Sequence, residues 1–525
     1  MESVSEIALM PTDWAASPGI VETHISTLIF LGDRAYKLHK PLKTAFLDHS
    51  TRSKRRRACH EEVALNRRFA PDVYLGVVDV AADDGTPKEH VIAMKRMPAD
   101  RQLSRLLGLP GTEEHLGQIA EILSNAHAAT PPVRRRGMGD WRQVRQLWHE
   151  GMAQMSRFAG AIVSADQLAD VGRRARRYLS GRRPLFDLRV SQGRVRDGHG
   201  DLLADDIYCL PDGPRILDCL AFDRALRVGD TLSDAAFLSM DIESRGHRAL
   251  AERFLETYAE KSDDWFPPSL AYHYLAYRAF VRSKIACLAS EQGRTGKAER
   301  AAELLELTES YLRRGRVRLI LVGGTPGTGK STLASGLADV CGFPLVRSDS
   351  TRKLALGIAP STSAAAEFGA GIYTPETTRR VYSAMLDSAA RFLEHGYSVV
   401  LDASWSNARD RLAARRVAAD RHADLHEFRC EVDASEADRR IAARGRAGAD
   451  PSDATAAIAE QMRAAYDAWP EAIVVNTLRP PKSCVESVAA DLGLELPQPG
   501  WVRRSDPQSC EPIVPEVISG PAHIG

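Results

Sequence analysis

The sequence has no run of about 18 apolar residues of the kind that crosses a bilayer. Near its start it carries the acidic residues Glu2 and Glu6, with no basic segment followed by an apolar one. These absences argue against a membrane-spanning helix and a secretory signal peptide. We therefore expect a cytoplasmic protein.

Closely spaced cysteines and an excess of one charge are also missing. The 8 cysteines include no Cys-x-x-Cys pair, and the histidines show no metal-ligand spacing. This argues against a disulfide framework and a zinc site, and it favours a reduced compartment. Because 70 Lys and Arg nearly balance 69 Asp and Glu, the chain lacks the positive field that bulk nucleic-acid binding requires. We expect small molecules, and not nucleic acid or membrane, as partners.

The length predicts at least two domains, because 525 residues exceed the roughly 250 to 300 that a single core holds. Arg313–Gly315 ends a long helical stretch, and Val317–Val322 is an almost uninterrupted apolar run typical of a buried parallel strand. We place the first domain over residues 1–313 and the second over 314–497. The Pro-rich stretch 498–525 has no periodicity, and we predict it to be a disordered tail.

The first domain begins with strand patterns and continues with helical ones. Thr27–Leu31 and Ala35–Leu38 flank a short turn, which predicts a β-hairpin. Further patterns predict a helix over 52–65, strands over 73–80 and 90–97, helices over 113–129 and 168–179, short strands over 207–210 and 215–219, and a long helical stretch over 232–312. A sheet followed by helices indicates an α+β domain.

The second domain alternates strands and helices. After Val317–Val322, Thr374 and Pro375 form the start signal of a helix, and Tyr397–Leu401 is another apolar strand. This alternation predicts an α/β domain with a parallel sheet.

A phosphate-binding motif opens the second domain. Gly324–Ser331 reads G-x-x-x-x-G-K-[ST], directly after the apolar strand and before an Ala/Leu-rich helix. The pattern predicts a P-loop that binds ATP and Mg²⁺, with Lys330 on the terminal phosphates and Ser331 on the metal. The predicted nucleotide-binding residues are Gly324, Thr325, Pro326, Gly327, Thr328, Gly329, Lys330, Ser331 and Thr332.

Asp349 and Arg352 follow the next strand, at the sheet edge where open α/β sheets bind ligands. This Asp-x-x-Arg resembles that of small-molecule and polynucleotide kinases of the P-loop class. The resemblance implies that Asp349 is the base for the acceptor hydroxyl and that Arg352 binds the substrate. Alternatively, Asp349 is the N-cap of a helix that begins at Ser350.

Two more features of this domain are candidates for phosphoryl transfer. Asp402 ends the apolar strand Val399–Leu401, as in a Walker B strand, where it could hold magnesium or serve only as a turn residue. Arg440 and Arg444 lie four residues apart on a helix and resemble lid arginines of such kinases. A solvated helix face is the alternative for these two arginines.

The first domain carries a second kinase-like pattern. His199–Leu202 reads H-G-D-L, Asp218 follows a short strand, and Gly229–Asp230 with Asp234 comes later. This order resembles the aminoglycoside phosphotransferase family, which has a protein-kinase-like fold. The resemblance implies that Asp201 acts on the acceptor hydroxyl and that Asp218 binds magnesium. Asp206 stands where that family has a metal-binding Asn, which adds negative charge to the site.

No glycine-rich loop precedes this pattern, because the first hairpin offers only Gly32. Lys37 on the hairpin and Glu62 on the next helix are the predicted pair that positions the phosphates. Lys40 and Glu61 are close alternatives, and an exposed lysine on an edge strand is another.

The whole order resembles bacterial bifunctional proteins that join an aminoglycoside phosphotransferase-like domain to a P-loop, AAA-type ATP-binding domain. The resemblance implies an ATP-dependent phosphotransferase with a small-molecule hydroxyl as acceptor. A nucleotide-sensing regulator with a pseudokinase domain is the second hypothesis, and a 5′-hydroxyl nucleic-acid kinase is the third. The acceptor and the oligomeric state stay open.

Overall fold

The computed structural model of the protein describes residues 19–23, 25–43, 47–81, 87–355, 374–447 and 455–494, without the side chains of Pro87 and of residues 444–447. Within these ranges the chain divides into two compact units, mainly the residues up to Gly315 and those from Arg316 onward. The tail predicted over residues 498–525 lies outside the described residues. None of the described helices is long and apolar enough to span a membrane.

The first unit opens with a five-stranded antiparallel sheet in the order β1-β2-β3-β5-β4. Its strands are β1 Gly19–Glu22, β2 Ser26–Leu31, β3 Arg34–His39, β4 Tyr74–Ala81 and β5 Pro87–Lys95. Buried and half-buried residues alternate along β2 and β3, as they do in a sheet that packs one face on a core. Helix α1, Arg52–Asn66, begins after the N-cap Thr51 and packs Cys59 and Val63 into that core. The predicted hairpin and helix are confirmed, and β1 was not predicted.

The remainder of the first unit is mainly helical. Its helices are α2 Leu103–Leu106, α3 Thr112–Ala129, α4 Trp141–Met155, α5 Ala165–Gly181, α6 Arg183–Ser191, α7 Arg224–Arg227, α8 Thr231–Ser244, α9 Arg248–Ser262, α10 Pro268–Glu291 and α11 Lys297–Arg314. Two small antiparallel pairs join β6 Val195–Asp197 to β9 Val228–Asp230, and β7 Ile207–Leu210 to β8 Gly213–Ile216. The predicted helical stretch over 232–312 is four helices. Helices α4 and α6 were not predicted.

The second unit is a parallel sheet with helices. The strand order is β11-β12-β10-β13-β14, and all neighbours are parallel. The strands are β10 Arg318–Gly323, β11 Leu345–Arg347, β12 Val399–Asp402, β13 Asp424–Glu431 and β14 Ile473–Asn476. The helices are α12 Lys330–Cys341, α13 Ser348–Ala355, α14 Pro375–Glu394, α15 Ala408–Asp420, α16 Ala434–Ala447, α17 Ala456–Ala464 and α18 Pro481–Asp491. Every residue of β10 is buried, and apart from Arg318 and Gly323 all of them are large and apolar, as a strand buried on both faces requires.

The predicted fold class is confirmed. The first domain is an α+β domain, in which an antiparallel sheet is followed by helices, and the second is an α/β domain with a parallel sheet. Since parallel strands end at one edge of a sheet, the residues that follow β10, β11 and β12 lie together there.

Candidate functional site

The P-loop connects β10 to α12 and depends on its glycines. Gly324, Gly327 and Gly329 have φ angles of +139°, +84° and +83°, which side-chain-bearing residues rarely adopt. A Cβ at Gly327 would lie 2.5 Å from the carbonyl oxygen of Ala437, and one at Gly324 would lie 2.8 Å from that of Cys430. The loop therefore requires glycine both for its backbone angles and for the space around it.

The N-terminus of α12 is open to an anion. Its N-cap is Gly329, which has no side chain that could accept from the first-turn N–H groups. Lys330 and Ser331 are half-buried, and their side chains have no partner among the described residues. A helix N-terminus with free N–H groups and an unpaired lysine attracts phosphate.

Asp402 ends the neighbouring strand, in register with Val322 of β10. Its side chain is buried, and Oδ1 has no hydrogen-bond partner among the described residues. The Nε atom of Arg347 lies 4.0 Å from the other oxygen, Oδ2. A buried carboxylate oxygen without a donor, one strand from Ser331, is suited to a magnesium ion or to the water it binds.

Asp349 and Arg352 lie on α13, which follows β11 at the same sheet edge. The alternative of Asp349 as N-cap of a helix from Ser350 is wrong, because α13 already begins at Ser348 and Asp349 lies in its first turn. Arg352 is buried, and its Nη1 donates to Oγ1 of Thr378 on α14 at 3.3 Å. The structure therefore holds Arg352 in a fixed position and leaves Asp349 half-buried.

Arg440 lies next to the P-loop, and its guanidinium bonds to residues of the protein that hold this loop. Its Nε donates to Glu436 at 2.6 Å, and its Nη2 donates to the carbonyl oxygen of Thr477 at 3.0 Å. Thr477 in turn donates through Oγ1 to the carbonyl oxygen of Thr328 in the P-loop at 2.6 Å. Arg440 therefore braces the loop through Thr477, whereas a lid arginine would have its guanidinium free. The side chain of Arg444 lies outside the described residues.

A contact that the sequence analysis missed fixes the other side of the P-loop. The carbonyl oxygen of Ser404 accepts from the backbone N–H of Gly324 at 3.1 Å and from the hydroxyl of Tyr466 at 2.8 Å. The next residue, Trp405, is fully buried with φ at +53°, and its N–H donates to the hydroxyl of Tyr382 at 3.1 Å. A tryptophan three residues after the strand-ending Asp402 was the available signal.

The predicted lysine and glutamate of the first unit are in contact. Lys37 Nζ lies 2.8 Å from Glu62 Oε1 and 2.7 Å from Asp218 Oδ1. Burial lowers the pKa of Lys37, but Asp218 and Glu62 outweigh it and raise that pKa well above its ordinary value. Burial raises the pKa of Glu62, and Lys37 outweighs it, so that the pKa is about 2. The three side chains therefore form a buried, charged group.

The alternative residues for this pair, Lys40 and Glu61, do not contact each other or the buried group. Lys40 bonds to Glu22 and to the carbonyl oxygen of Thr23, and Glu61 is exposed. The alternative of an exposed lysine on an edge strand is wrong, because β3 lies in the middle of the sheet and Lys37 is buried.

Asp201, Asp206 and Asp218 form an acidic group next to Lys37. Asp201 and Asp218 line the same cavity, and both oxygens of the buried Asp206 lack a hydrogen-bond partner among the described residues. Burial, followed by the charges of Asp218 and Asp201, raises the pKa of Asp206 well above its ordinary value. The backbone of Asp218 adopts a φ angle of +61°, which is a strained conformation for a residue that has a side chain. Because the carboxylate of Asp206 has no donor among the described residues, it is suited to magnesium, which would offset the repulsion within this group.

Asp234 fixes the loop that carries Asp201. Its carboxylate accepts from the backbone N–H groups of His199 at 2.5 Å and Gly200 at 3.0 Å, and it lies 3.2 Å from Nε2 of His127. Burial lowers the pKa of His199 to about 4, so this ring is neutral and donates from Nε2 to the carbonyl oxygen of Leu217 at 3.0 Å. The sequence pattern included Asp234 but gave it no role.

Comparison with known sequences identifies relatives across most of the chain. The AAA domain family matches residues 319–469. The uncharacterized protein Rv2004c of Mycobacterium tuberculosis is 38% identical over 462 residues, which are 87% of this chain and 92% of the relative. The uncharacterized protein Mb2027c of Mycobacterium bovis gives the same values.

Similar solved structures fall into two groups by the part they cover. A gluconokinase from Sinorhizobium meliloti covers 34% of this chain and 93% of its own, at 17% identity and a TM-score of 0.26. The GDP and kanamycin complex of APH(2")-IIia covers 56% of this chain and 93% of its own, at 13% identity and a TM-score of 0.38.

Proposed function

We propose that this chain, which belongs to the family of the mycobacterial proteins Rv2004c and Mb2027c, is an ATP-dependent phosphotransferase that acts on a hydroxyl group of a small molecule. The P-loop is its principal nucleotide site. A second site of the same chemistry lies in the first unit.

One observation carries the proposal. The open N-terminus of α12, the unpartnered Lys330 and Ser331, and the donor-free oxygen of Asp402 lie at the ends of adjacent strands. Together they offer positive potential for phosphates and oxygen ligands for a cation. A glycine turn that served packing alone would not need an unpaired lysine or a donor-free carboxylate.

At this site the residues take the following roles. Lys330 and the first-turn N–H groups of α12 bind the phosphates, while Ser331 and Asp402 would hold magnesium, which would supply positive charge for the transferring group. Asp349 accepts the proton of the acceptor hydroxyl, and Arg352 orients the acceptor from its fixed position against Thr378.

The second site uses the acidic group of the first unit. Lys37, positioned by Glu62, binds phosphate oxygens, and Asp218 and Asp206 hold magnesium. Asp201 accepts the proton of the acceptor hydroxyl. Asp234 keeps the Asp201 loop in position through two backbone N–H groups.

The test is magnesium-dependent ADP release by the full chain with a panel of small hydroxyl compounds. We compare wild type with Lys330→Ala, Asp201→Ala and the control Lys482→Ala, whose side chain is 89% exposed. Loss of most turnover in Lys330→Ala, by about 10²- to 10³-fold, supports the P-loop as the principal site. Loss only in Asp201→Ala would reverse the two roles, and turnover unchanged in both would contradict the proposal.

A second candidate, a nucleotide-sensing regulator, is favoured by Asp206. A carboxylate in place of the amide that the related kinases use adds repulsion to a site that must hold ATP. Under this candidate the first unit binds nucleotide without transferring phosphate. ATP binding that Lys37→Ala abolishes, together with no phosphate transfer in Lys330→Ala, would support it over the two-site enzyme.

A further inference from the structure

The position of the Asp218 carboxylate depends on a backbone conformation that needs support. The φ angle of +61° lies in the left-handed region, where a residue with a side chain persists when its surroundings hold it there. The carboxylate that this backbone carries lies 2.7 Å from Nζ of Lys37. The groups that hold the backbone of Asp218 therefore determine where its carboxylate lies.

The ends of the segment 217–220 are bonded to the loop that carries Asp201 and Asp206. The backbone N–H of Leu217 donates to the carbonyl oxygen of Asp206 at 2.9 Å, and that of Leu220 donates to the carbonyl oxygen of His199 at 3.0 Å. The ring of His199 donates in turn to the carbonyl oxygen of Leu217 at 3.0 Å. These three bonds fix the segment relative to the loop.

The two middle N–H groups of this segment donate to side chains of other elements. The N–H of Asp218 donates to the hydroxyl oxygen of Tyr74, the first residue of β4, at 3.1 Å. The N–H of Cys219 donates to Oδ1 of Asn66, the last residue of α1, at 2.8 Å. The amide of Asn66 also donates to the carbonyl oxygen of Glu62 at 2.9 Å. The segment is thereby tied to the sheet and to the helix that carries Glu62.

Tyr74 and Asn66 bring polar atoms into the interior of the first unit. Both residues are buried, and Tyr74 belongs to an apolar core that includes Val63, Val73 and Ile92. Phenylalanine and leucine would fill such positions without a polar group to satisfy, so packing alone does not account for a hydroxyl and an amide. Burial raises the pKa of Tyr74 well above its ordinary value, so the hydroxyl stays neutral and adds no charge to the acidic group.

We propose that Tyr74 and Asn66 are positioning residues of the second site, which hold the carboxylate of Asp218 where it binds magnesium. This inference rests on the function proposed for that site. Both side chains act through backbone N–H groups, so neither needs to touch the metal or the nucleotide. Without one of these bonds, Asp218 would spend part of its time in other conformations, and the apparent magnesium affinity would fall by the fraction that remains competent. Because one hydrogen bond changes such an equilibrium by roughly fivefold, we expect a loss of that order.

The first test follows the backbone itself, by hydrogen exchange of the full chain read by mass spectrometry. Tyr74→Phe keeps the ring and removes the acceptor oxygen, so the peptide that contains residues 217–220 should exchange about fivefold faster. The matched control is Tyr311→Phe, which loses a bond from a buried hydroxyl to Glu243 at 2.7 Å in the same unit. We expect the control to leave exchange of that peptide unchanged. Exchange at the wild-type rate in Tyr74→Phe would overturn the proposal.

The second test measures by calorimetry how ATP binding depends on magnesium in the Lys330→Ala chain. The same chain with Lys37→Ala added gives the baseline for nucleotide bound elsewhere. We expect Tyr74→Phe and Asn66→Leu each to raise the half-saturating magnesium concentration by roughly fivefold, and Tyr311→Phe to leave it within about twofold. Thermal unfolding reports whether each variant is folded, and Tyr74→Phe decides the outcome if Asn66→Leu is not.

The outcomes separate this inference from the function on which it rests. Faster exchange together with a higher magnesium requirement in Tyr74→Phe supports the positioning role. Magnesium-dependent ATP binding that responds equally to Tyr74→Phe and Tyr311→Phe overturns that role and leaves the second site in place. ATP binding no stronger than the Lys37→Ala baseline overturns the second site, and with it the magnesium role of Tyr74 and Asn66, even if exchange is faster.

Discussion

Lys330 at the P-loop has no ion-pair partner among the described residues, whereas Lys37 in the first unit contacts two carboxylates. The P-loop also relies on backbone N–H groups, which carry no net charge that must be balanced when the site is empty. In the first unit, Asp218 contacts the lysine, and Asp201 and Asp206 lie close to Asp218 and add negative charge to the site. A polyanion therefore meets positive potential at one site and repulsion at the other.

This difference has a consequence for metal dependence. The P-loop can bind phosphates before magnesium arrives, because Lys330 and the helix N-terminus are available at once. If the first unit binds a nucleotide as proposed, we expect its acidic group to need bound cations first. The two sites are therefore expected to differ in how steeply nucleotide binding depends on magnesium.

The largest expected effect is that of Asp349→Asn at the P-loop site. Removing a general base typically costs 10²- to 10⁴-fold in rate, and the amide keeps the shape of the side chain. We expect kcat with the best acceptor to fall by about that factor while KM for ATP stays within about twofold, because the role proposed for Asp349 is on the acceptor and not on the phosphates. Asp339→Asn, on the exposed side of α12, is the control. A rise in KM for ATP with kcat unchanged would show that Asp349 binds nucleotide instead.

The second-largest effect is expected for Gly327→Ala, because the new Cβ would lie 2.5 Å from the carbonyl oxygen of Ala437. Strain of about 1–3 kcal/mol is expected in such a backbone, and kcat/KM for ATP should fall by roughly 10- to 100-fold. Gly111→Ala has a similar φ, +87°, but open space around its Cβ. Equal losses in both variants would mean that the contact with Ala437 is unimportant.

Asp206→Asn tests the charge difference between the two sites directly. In the Lys330→Ala chain, removing one negative charge near the phosphates should strengthen ATP binding by roughly tenfold, since a charge pair at an intermediate dielectric is worth about 1 kcal/mol or more. Burial and the neighbouring carboxylates raise the pKa of Asp206, so the wild-type group is neutral at acid pH and becomes charged as the pH rises.

The gain from Asp206→Asn should therefore be larger at the higher of two pH values, measured by calorimetry at fixed magnesium. Asp205→Asn is a suitable control, because that neighbouring carboxylate already pairs with Arg245 at 2.7 Å. A gain of the same size at both pH values would exclude charge as the cause.

What the sequence predicted well was local. The P-loop is eight consecutive residues with fixed neighbours, so strand, glycines and helix can be recognised together. The Lys37–Glu62 pair was also predicted, because the order of strand and helix limits which lysine and glutamate can meet. Even so, the structure was needed to choose between Glu62 and the adjacent Glu61, because neighbouring residues of a helix point in different directions.

What the sequence could not predict depends on distant contacts. Asp234 binds backbone groups 34 and 35 residues earlier, and Ser404 accepts from Gly324 80 positions away, so no short pattern contains either pair. The cavity of about 80 Å³ in the first unit combines residues of α4 and α10 that no motif links. Arg440 was predicted from its spacing to Arg444, yet its partners are Glu436 and Thr477, and the latter lies in the turn after β14.

The smallest effect is expected for Arg440→Ala. This variant distinguishes an arginine that supports the P-loop from one that takes part in catalysis. Because Arg440 is paired with Glu436 and is partly exposed, its loss should cost stability of about 0.5–1 kcal/mol and lower kcat by less than about fivefold. Arg439→Ala removes a bond to the same glutamate from a side chain that is 72% exposed, and it serves as the control in thermal unfolding and steady-state assays. An arginine that stabilises the transferring phosphate is worth about 10³-fold or more. A loss of that size in Arg440→Ala, with normal stability, would mean that Arg440 leaves Thr477 during the reaction and reaches the phosphates.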